Sequence, residues 1–103
     1  MQQNSPRLFQ LVREWAIERN LHNADPTKQL AKTIEELGET AAALLRGKDS
    51  ELADGLGDVM VCLTILAQQK GLDIETCFAD AYGVIAKRTG VTRNGVFVKS
   101  EDL

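Results

Sequence analysis

The sequence is poor in the residues that most enzyme chemistry uses. It holds one histidine, His22, two cysteines, Cys62 and Cys77, two prolines, and only 5% aromatic residues. A single histidine cannot build a His-rich metal centre, and a di-iron bundle would need Glu-x-x-His pairs that are absent. The cysteines are far apart and form no C-x-x-C pair, so both read as reduced thiols in a cytoplasmic protein. No apolar run approaches the roughly 20 residues that span a bilayer, and the polar start, residues 1–7, has no apolar core of a secretion signal. A membrane partner is therefore not expected. Lys and Arg number 12 against 15 Asp and Glu, a net charge of -3. With a pI of about 5.1 and no dominant basic stripe, nucleic acid is not an expected partner either. An EF-hand loop, a P-loop, a G-x-G-x-x-G and a G-x-S-x-G are all missing. Neither cysteine has a histidine near it in sequence, which leaves nucleophilic catalysis unsupported.

What remains is an ordinary globular composition, 44% apolar and 26% charged, over 103 residues. That predicts a single domain, residues 1–103, whose small core would gain from oligomerisation. Helical spacing and start and stop signals predict four helices, roughly 5–20, 26–46, 51–70 and 74–88, then a tail over 89–103. Ser5 caps the first helix with Pro6 behind it. Asp25 and Pro26 repeat the device, Gly71 ends the third helix, and Asp73 caps the fourth. Leu30, Ile34, Leu37, Ala41, Leu44 and Leu45 form the apolar stripe of the second helix. The link at 47–50 is short, so helices two and three should be antiparallel neighbours. The alternating Val96, Phe97 and Val98 suggest a brief extended stretch packed on an all-α bundle. Gly38, Gly55, Gly57 and Gly83 sit inside helices, where each costs about 1 kcal/mol against Ala; close backbone approach is the expected reason.

The chemistry gathers in helices two and three. Glu36 and Glu39 are a turn apart, with Glu35 at the margin of their face. Glu51, Asp54 and Asp58 form a second narrow stripe at i, i+3 and i+7. On an antiparallel hairpin the two stripes can face each other. Such a cluster repels itself when empty, and a His-free oxygen set suits Mg²⁺ or Mn²⁺, which in turn recruit phosphate oxygens and water. The plain alternative is a solvated acidic face, with Lys32 and Glu36 as an i,i+4 surface pair. Asp54 and Asp58 lie deep in an apolar helix with no capping role, which favours the metal reading.

Glu35-Glu36-x-x-Glu39, a spacer, and Asp54-x-Leu56-Gly57-Asp58-Val59 together resemble the MazG-like all-α nucleoside triphosphate pyrophosphatases. Trp15-Ala16-x-x-Arg19-Asn20-Leu21 and Gln29-x-x-Lys32 resemble the N-terminal part of the small single-domain members. Arg88-x-Gly90 and Asn94-Gly95-Val96-Phe97-Val98-Lys99 are similar to their C-terminal signature. The resemblance implies a four-helix fold assembled as a dimer or a dimer of dimers. It implies Mg²⁺-dependent hydrolysis of a (d)NTP to (d)NMP and pyrophosphate, serving nucleotide-pool cleaning or adjustment, with deoxynucleotides slightly preferred. Glu36, Glu39 and Asp58 fall on its metal-ligand positions, and Glu35 lies beside them. The family's common Glu-x-x-Asp places a Glu where this chain has Gly55. Asp54 is expected to take over, with Glu51 as the fallback.

A carboxylate not fully used as a ligand, Glu35 or Glu39, would take the proton of the attacking water. Lys32 projects beside Glu36 and Glu39, while Lys87, Arg88, Arg93 and Lys99 cluster towards the end of the chain. Lys87 and Arg88 either bind phosphate or complement the helix dipole. The resemblance implies phosphate or sugar contact for Asn94 and Lys99, and base contact for Gln29 and Asn23. Trp15 reads as core, with stacking on a base as its second role. Phe78 and Tyr82 read as core or as an interface between copies. Two other functions fit the same residues: a phosphoribosyl-ATP pyrophosphohydrolase-like enzyme, and a non-catalytic helical module that binds nucleotide or protein.

Overall fold

The computed structural model describes residues 5–103, with side chains from Arg7 onward. Its elements are α1 (Ser5–Glu18), a 3₁₀ turn (Leu21–Asn23), α2 (Pro26–Leu45), α3 (Asp49–Gln69), α4 (Ile74–Ile85), β1 (Gly90–Arg93), β2 (Val96–Lys99) and a final 3₁₀ turn (Ser100–Asp102). The chain is mostly helical, as the periodicity predicts. The expected Ser5 cap falls outside the described side chains.

Local chemistry sets the starts and stops. Asp25 Oδ1 accepts from the Thr27 amide at 2.9 Å with Pro26 at the first helical position. Asp73 Oδ1 accepts from the Glu75 amide at 3.2 Å. Gly47 and Gly71 take φ of 69° and 71°, the left-handed conformation that closes a helix C-terminus. The first, third and fourth helices differ from the spacing estimate. α1 stops at Glu18, α3 already begins at Asp49, and α4 stops at Ile85. Asp49 and Glu51 in the first turn of α3 suit the positive end of its dipole, which explains the earlier start.

The tail is a hairpin, not a strand laid on the helices. β1 and β2 pair antiparallel, Gly90 opposite Lys99 and Arg93 opposite Val96. Asn94 and Gly95 turn the corner with φ of 52° and 80°. Two consecutive positive φ values make the turn whose twist matches paired strands, and Asn-Gly is the dipeptide that adopts it most readily. The hairpin packs chiefly on itself and on the last 3₁₀ turn.

The dominant packing is α2 against α3, and it reverses the expected use of α2. The side chains facing α3 are Gln29, Thr33, Thr40 and Ala43, all buried. The predicted core stripe is exposed instead: Leu30, Ile34, Leu37 and Leu44 are 47–63% accessible and Leu45 is 85% accessible. Close approach selects small residues, and their hydroxyls are satisfied within the helix. Thr33 Oγ1 donates to the Gln29 carbonyl at 2.8 Å, and Thr40 Oγ1 donates to the Glu36 carbonyl at 2.7 Å. Gln29 Nε2 donates to the Cys62 carbonyl at 3.1 Å, tying the two helices together. Gly55 supplies the closest approach. A Cβ there would overlap Thr40 Oγ1 and stand 3.1 Å from the Thr40 Cβ. Gly38, Gly57 and Gly83 have open space around them within this chain, so only Gly55 shows the expected steric reason.

α1 lies along α3, and α4 touches both near its start. Arg13 of α1 holds that start, at 2.9 Å from Glu75 and 3.5 Å from Asp73. Trp15, expected in the core, is 46% accessible with the Arg19 guanidinium 4.1 Å above its ring. Phe78 and Tyr82 are 65% and 64% accessible, and α4 buries no residue. Cys62 is buried and Cys77 exposed, both as free thiols. No helix among the described residues is long and apolar enough to cross a membrane.

The Gly55 contact gives the first testable outcome. Gly55→Ala should lower stability by about 1–3 kcal/mol through overpacking, and Thr40→Ala in the same chain should recover part of it. Gly57→Ala, with free space, should be neutral or raise stability by about 0.5–1 kcal/mol. Thermal unfolding of the four proteins checks the order. Loss of the Arg13 clamp gives a second outcome. Arg13→Ala should speed amide exchange across residues 74–85 at least several-fold while residues 26–69 stay protected.

Candidate metal and phosphate site

The α2–α3 contact lays out the acids. Glu36 and Glu39 come from α2, and Glu51, Asp54 and Asp58 from the first half of α3. All five line one cleft of about 230 Å³, together with Thr40 and Gly55. Its floor is the point where Gly55 meets Thr40. Of the five acids Glu36 is the most enclosed, its side chain only 13% accessible against 61% for Glu51. Asp54 and Asp58 are exposed, on the hydrated side of α3 and not deep among its apolar residues.

Gly55 also explains the departure from the common acid pattern. Its side-chain direction points into Thr40, so a Glu at this position could not reach the cleft without parting the helices. Both proposed substitutes, Asp54 and the fallback Glu51, lie in the cleft wall.

Lys32 supplies the local positive charge. Its Nζ is 3.1 Å from Glu36 Oε1 and 3.7 Å from Glu35 Oε1. The hydrogen bond to Glu36 and the neighbouring Glu35 charge hold the ammonium above its usual pKa. Glu35 is exposed and stands outside the cleft lining, on the Lys32 side. Beneath the site, burial pushes the Cys62 thiol up, and the Glu36 and Asp58 charges add to that shift. A thiol held protonated in this way is a core group, not a nucleophile.

The donors fit a hard cation in a particular sense. All are carboxylate oxygens on a single open cleft. Among the described residues, no three of His, Cys, Asp or Glu converge into a closed cage. Mg²⁺ dehydrates reluctantly and is commonly held by one or two carboxylates plus water and phosphate oxygens. A spread, open set of acids suits that habit better than it suits Zn²⁺, which prefers four converging N or S ligands.

The remaining candidates separate into groups. Lys87, Arg88 and Lys99 line a second cleft of about 360 Å³ with Thr89, Ser100 and Glu101, where α4 gives way to the hairpin. It shares no residue with the acidic cleft. Arg93 and Asn94 lie at the hairpin turn, outside both clefts. Gln29 is buried with its amide committed to Cys62, which removes it from a base-reading role. Asn23 donates to Asn20 Oδ1 at 2.8 Å, and Trp15 borders an apolar hollow with Leu8, Leu11, Val12 and Val61. Thr40 is a cleft residue that the sequence pattern does not single out. Its signal was available, since it stands one helical turn after Glu36, but a threonine in a helix also reads as plain surface.

Comparison with known proteins adds the family. The sequence pattern of the family described as phosphoribosyl-ATP pyrophosphohydrolase matches residues 12–82. All five cleft acids fall inside that range, and the hairpin lies beyond it. An uncharacterised 18.2 kDa protein in the rep-hol intergenic region of Haemophilus phage HP1 (strain HP1c1) is 35% identical over 68 residues, 65% of this chain and 42% of that protein. The chain thus matches about two fifths of that relative's length. No solved structure matches. The match over most of the helical region, on a fold whose two central helices bring the acids together, shows that the chain belongs to the phosphoribosyl-ATP pyrophosphohydrolase family, within the MazG-like all-α nucleoside triphosphate pyrophosphatase superfamily.

Proposed function

We propose that the chain is a Mg²⁺-dependent nucleotide pyrophosphohydrolase that converts a (d)NTP and water to (d)NMP and pyrophosphate. The observation that carries this reading is the single cleft lined by Glu36, Glu39, Glu51, Asp54 and Asp58. Deoxynucleotides are the slightly favoured substrates, and nucleotide-pool cleaning or adjustment is the role. Mn²⁺ would substitute for Mg²⁺. The enzyme works in the cytoplasm as a homo-oligomer, a dimer or a dimer of dimers, over a single domain.

In this mechanism Glu36, Glu39, Asp54 and Asp58 would hold the ion between them, one or two directly and the others through its waters, with Glu51 able to replace Asp54. The ion, when bound, supplies charge neutralisation for the triphosphate and Lewis acidity. Glu39 or Glu35 accepts the proton of the water that attacks the α-phosphorus. Glu35 is the freer of the two, because it stands outside the cleft wall and shares only Lys32. Lys32 turns from Glu36 towards the phosphate oxygens as substrate arrives. Lys87, Arg88 and Lys99 give a concave cationic surface suited to a further phosphate, while Arg93 and Asn94, at the far end of the hairpin, would contact the substrate separately. Trp15 is exposed enough to stack on a base. Catalysis rests on positioning and electrostatics, without a covalent intermediate.

Phosphoribosyl-ATP is the second substrate to consider, because the matched family is described by that activity. The bond broken is the same α–β anhydride, so the same acids would serve.

A substrate panel tests the reading. Each dNTP and NTP, and phosphoribosyl-ATP, is incubated with the protein in Mg²⁺ or EDTA, and products are separated by chromatography. Monophosphate and pyrophosphate should form with Mg²⁺ only. Glu39→Gln and Asp58→Asn should each reduce kcat/KM by about 100-fold or more. Diphosphate and phosphate would place the attack on the wrong phosphorus. Cation binding without turnover of any substrate would leave the non-catalytic module.

Cation binding by the free protein gives an independent outcome. Lys32 competes with a cation for Glu36, so Lys32→Met should tighten Mn²⁺ binding in calorimetry while raising KM for the nucleotide. Glu36→Gln should weaken Mn²⁺ binding at least tenfold.

A further inference from the structure

Each of the two central helices sets its acids in the same way about its contact residue. On α2, Glu36 and Glu39 come four and one residues before Thr40. On α3, Glu51 and Asp54 come four and one residues before Gly55. At about 100° per residue, those offsets turn the acids roughly 40° and 100° to one side of the contact. Two antiparallel helices are related by a local two-fold axis through their contact, so equal offsets fall on the same side of the pair. The acids accordingly line one cleft of about 230 Å³, with Thr40 and Gly55 between the rows and Asp58 one turn further along α3.

The two rows differ in length. α2 contributes glutamates, whereas the acids on either side of Gly55, Asp54 and Asp58, are aspartates. An aspartate carboxylate stands one methylene nearer its backbone, which shortens its reach by about 1.3 Å. A short acid shares an ion with a longer one only where its backbone comes closer. Gly55 is that place. A Cβ there would overlap Thr40 Oγ1 and stand 3.1 Å from Thr40 Cβ and 3.3 Å from Thr40 Cα. Thr40 is held in position, because its hydroxyl donates to the Glu36 carbonyl at 2.7 Å and the residue is only 6% accessible. Gly57, two residues on, has open space around it, so the close approach is confined to the level of the acids.

We propose that the Gly55–Thr40 contact is the spacing element of the cleft: it draws Asp54 near enough to act on the same cation as Glu36 and Glu39, and it fits the set to a small ion, Mg²⁺ or Mn²⁺, over Ca²⁺. Mg²⁺ takes oxygens at about 2.0–2.1 Å and Ca²⁺ takes more of them at about 2.3–2.6 Å, and selection between the two follows cavity size and flexibility. Short acids on a helix fixed by a glycine contact have little slack with which to widen. Gly55 and Thr40 are positioning residues here, acting through Asp54 and not as ligands. The inference rests on the proposed function only for the presence of a divalent cation in the cleft.

Cation binding by the free protein, read by calorimetry, tests it without turnover. Gly55→Ala should weaken Mn²⁺ binding about tenfold or more. Adding Asp54→Glu to Gly55→Ala should recover about threefold or more of that loss, whereas Asp54→Glu alone should not tighten binding. A longer acid next to the new methyl group restores reach but not packing, so a loss caused by instability alone would not be recovered. Unchanged binding in Gly55→Ala, or no recovery in the double variant, overturns the proposal. Because Gly55→Ala could fail to fold, a second measurement leaves the contact intact. The parent protein should bind Mg²⁺ about threefold or more tighter than Ca²⁺, and Asp54→Glu should cut that ratio about threefold or more. A parent protein that prefers Ca²⁺, or a ratio that Asp54→Glu leaves unmoved, overturns the proposal. No divalent cation binding at all would overturn both this inference and the proposed function. Mg²⁺-dependent hydrolysis with none of the spacing effects would sink the inference and keep the enzyme. The spacing effects without hydrolysis of any nucleotide would do the reverse.

Discussion

Everything in this molecule follows from how closely α2 can approach α3. The contact is made by Thr33, Thr40, Ala43 and Gly55, with Gln29 and Cys62 bonded across it. Small side chains permit the approach, and each buried threonine hydroxyl is satisfied by the carbonyl one turn earlier. Large apolar residues at these positions would push the helices apart. The separation then decides whether carboxylates on two different helices can border one cleft. Packing and chemistry are therefore one constraint here, and Gly55 against Thr40 is its narrowest point.

The same contact explains the charge arrangement. Like charges gathered on one side of a helix pair repel, and the chain answers locally with Lys32, placed against Glu36 and Glu35. Glu36 is the acid with the most restricted access to water, so it gains most from a fixed counter-charge. The ammonium rests on a flexible four-carbon stem, which makes it a counter-charge that can move. Under the proposed function, a cation or a phosphate would change the balance at Glu36, and Lys32 would be the group to respond. The other cationic residues, Lys87, Arg88 and Lys99, belong to a separate cleft at the far end of the chain.

Much of the fold could be read from the sequence, because it is encoded by local chemistry. Asp25 with Pro26 and Asp73 act as caps, Gly47 and Gly71 take left-handed φ, and the acids at 36, 39, 51, 54 and 58 share one side of a hairpin. The inside of α2 could not be read in the same way. Periodicity shows that Leu30, Ile34, Leu37, Ala41 and Leu44 form a stripe, but it does not say which helix they meet. Hydrophobicity favours that stripe as the core of the chain, whereas the closeness of α3 selects the threonines. Trp15 departs from its expected place for the same reason, since an aromatic at helical spacing suits a core and an exposed face equally. Asn94-Gly95 did carry a hairpin signal that the extended Val96 to Val98 reading used only in part. Gln29 resembled a binding residue in pattern, and only its hydrogen bond to Cys62 shows a structural use.

The boundary of the family match divides the molecule in an informative way. Residues 12–82 contain the α2–α3 contact, the five acids and Lys32, while β1, β2 and the basic cleft lie outside. Under the proposed function, hydrolysis of an α–β anhydride would draw on the first set, whatever nucleoside or ribosyl group is attached. Recognition of that attached group would then come from elsewhere, because the acidic cleft is lined only by carboxylates, a threonine and a glycine. The parts with varied chemistry are the Trp15 hollow and the cationic end of the chain. The cationic end lies beyond the helices in sequence and packs little against them, whereas the Trp15 hollow is built on α1 and on Val61 of α3. On the proposed function, such a chain would keep its reaction while altering its substrate, since changes at the cationic end leave Thr40 against Gly55 and the spacing of the acids undisturbed.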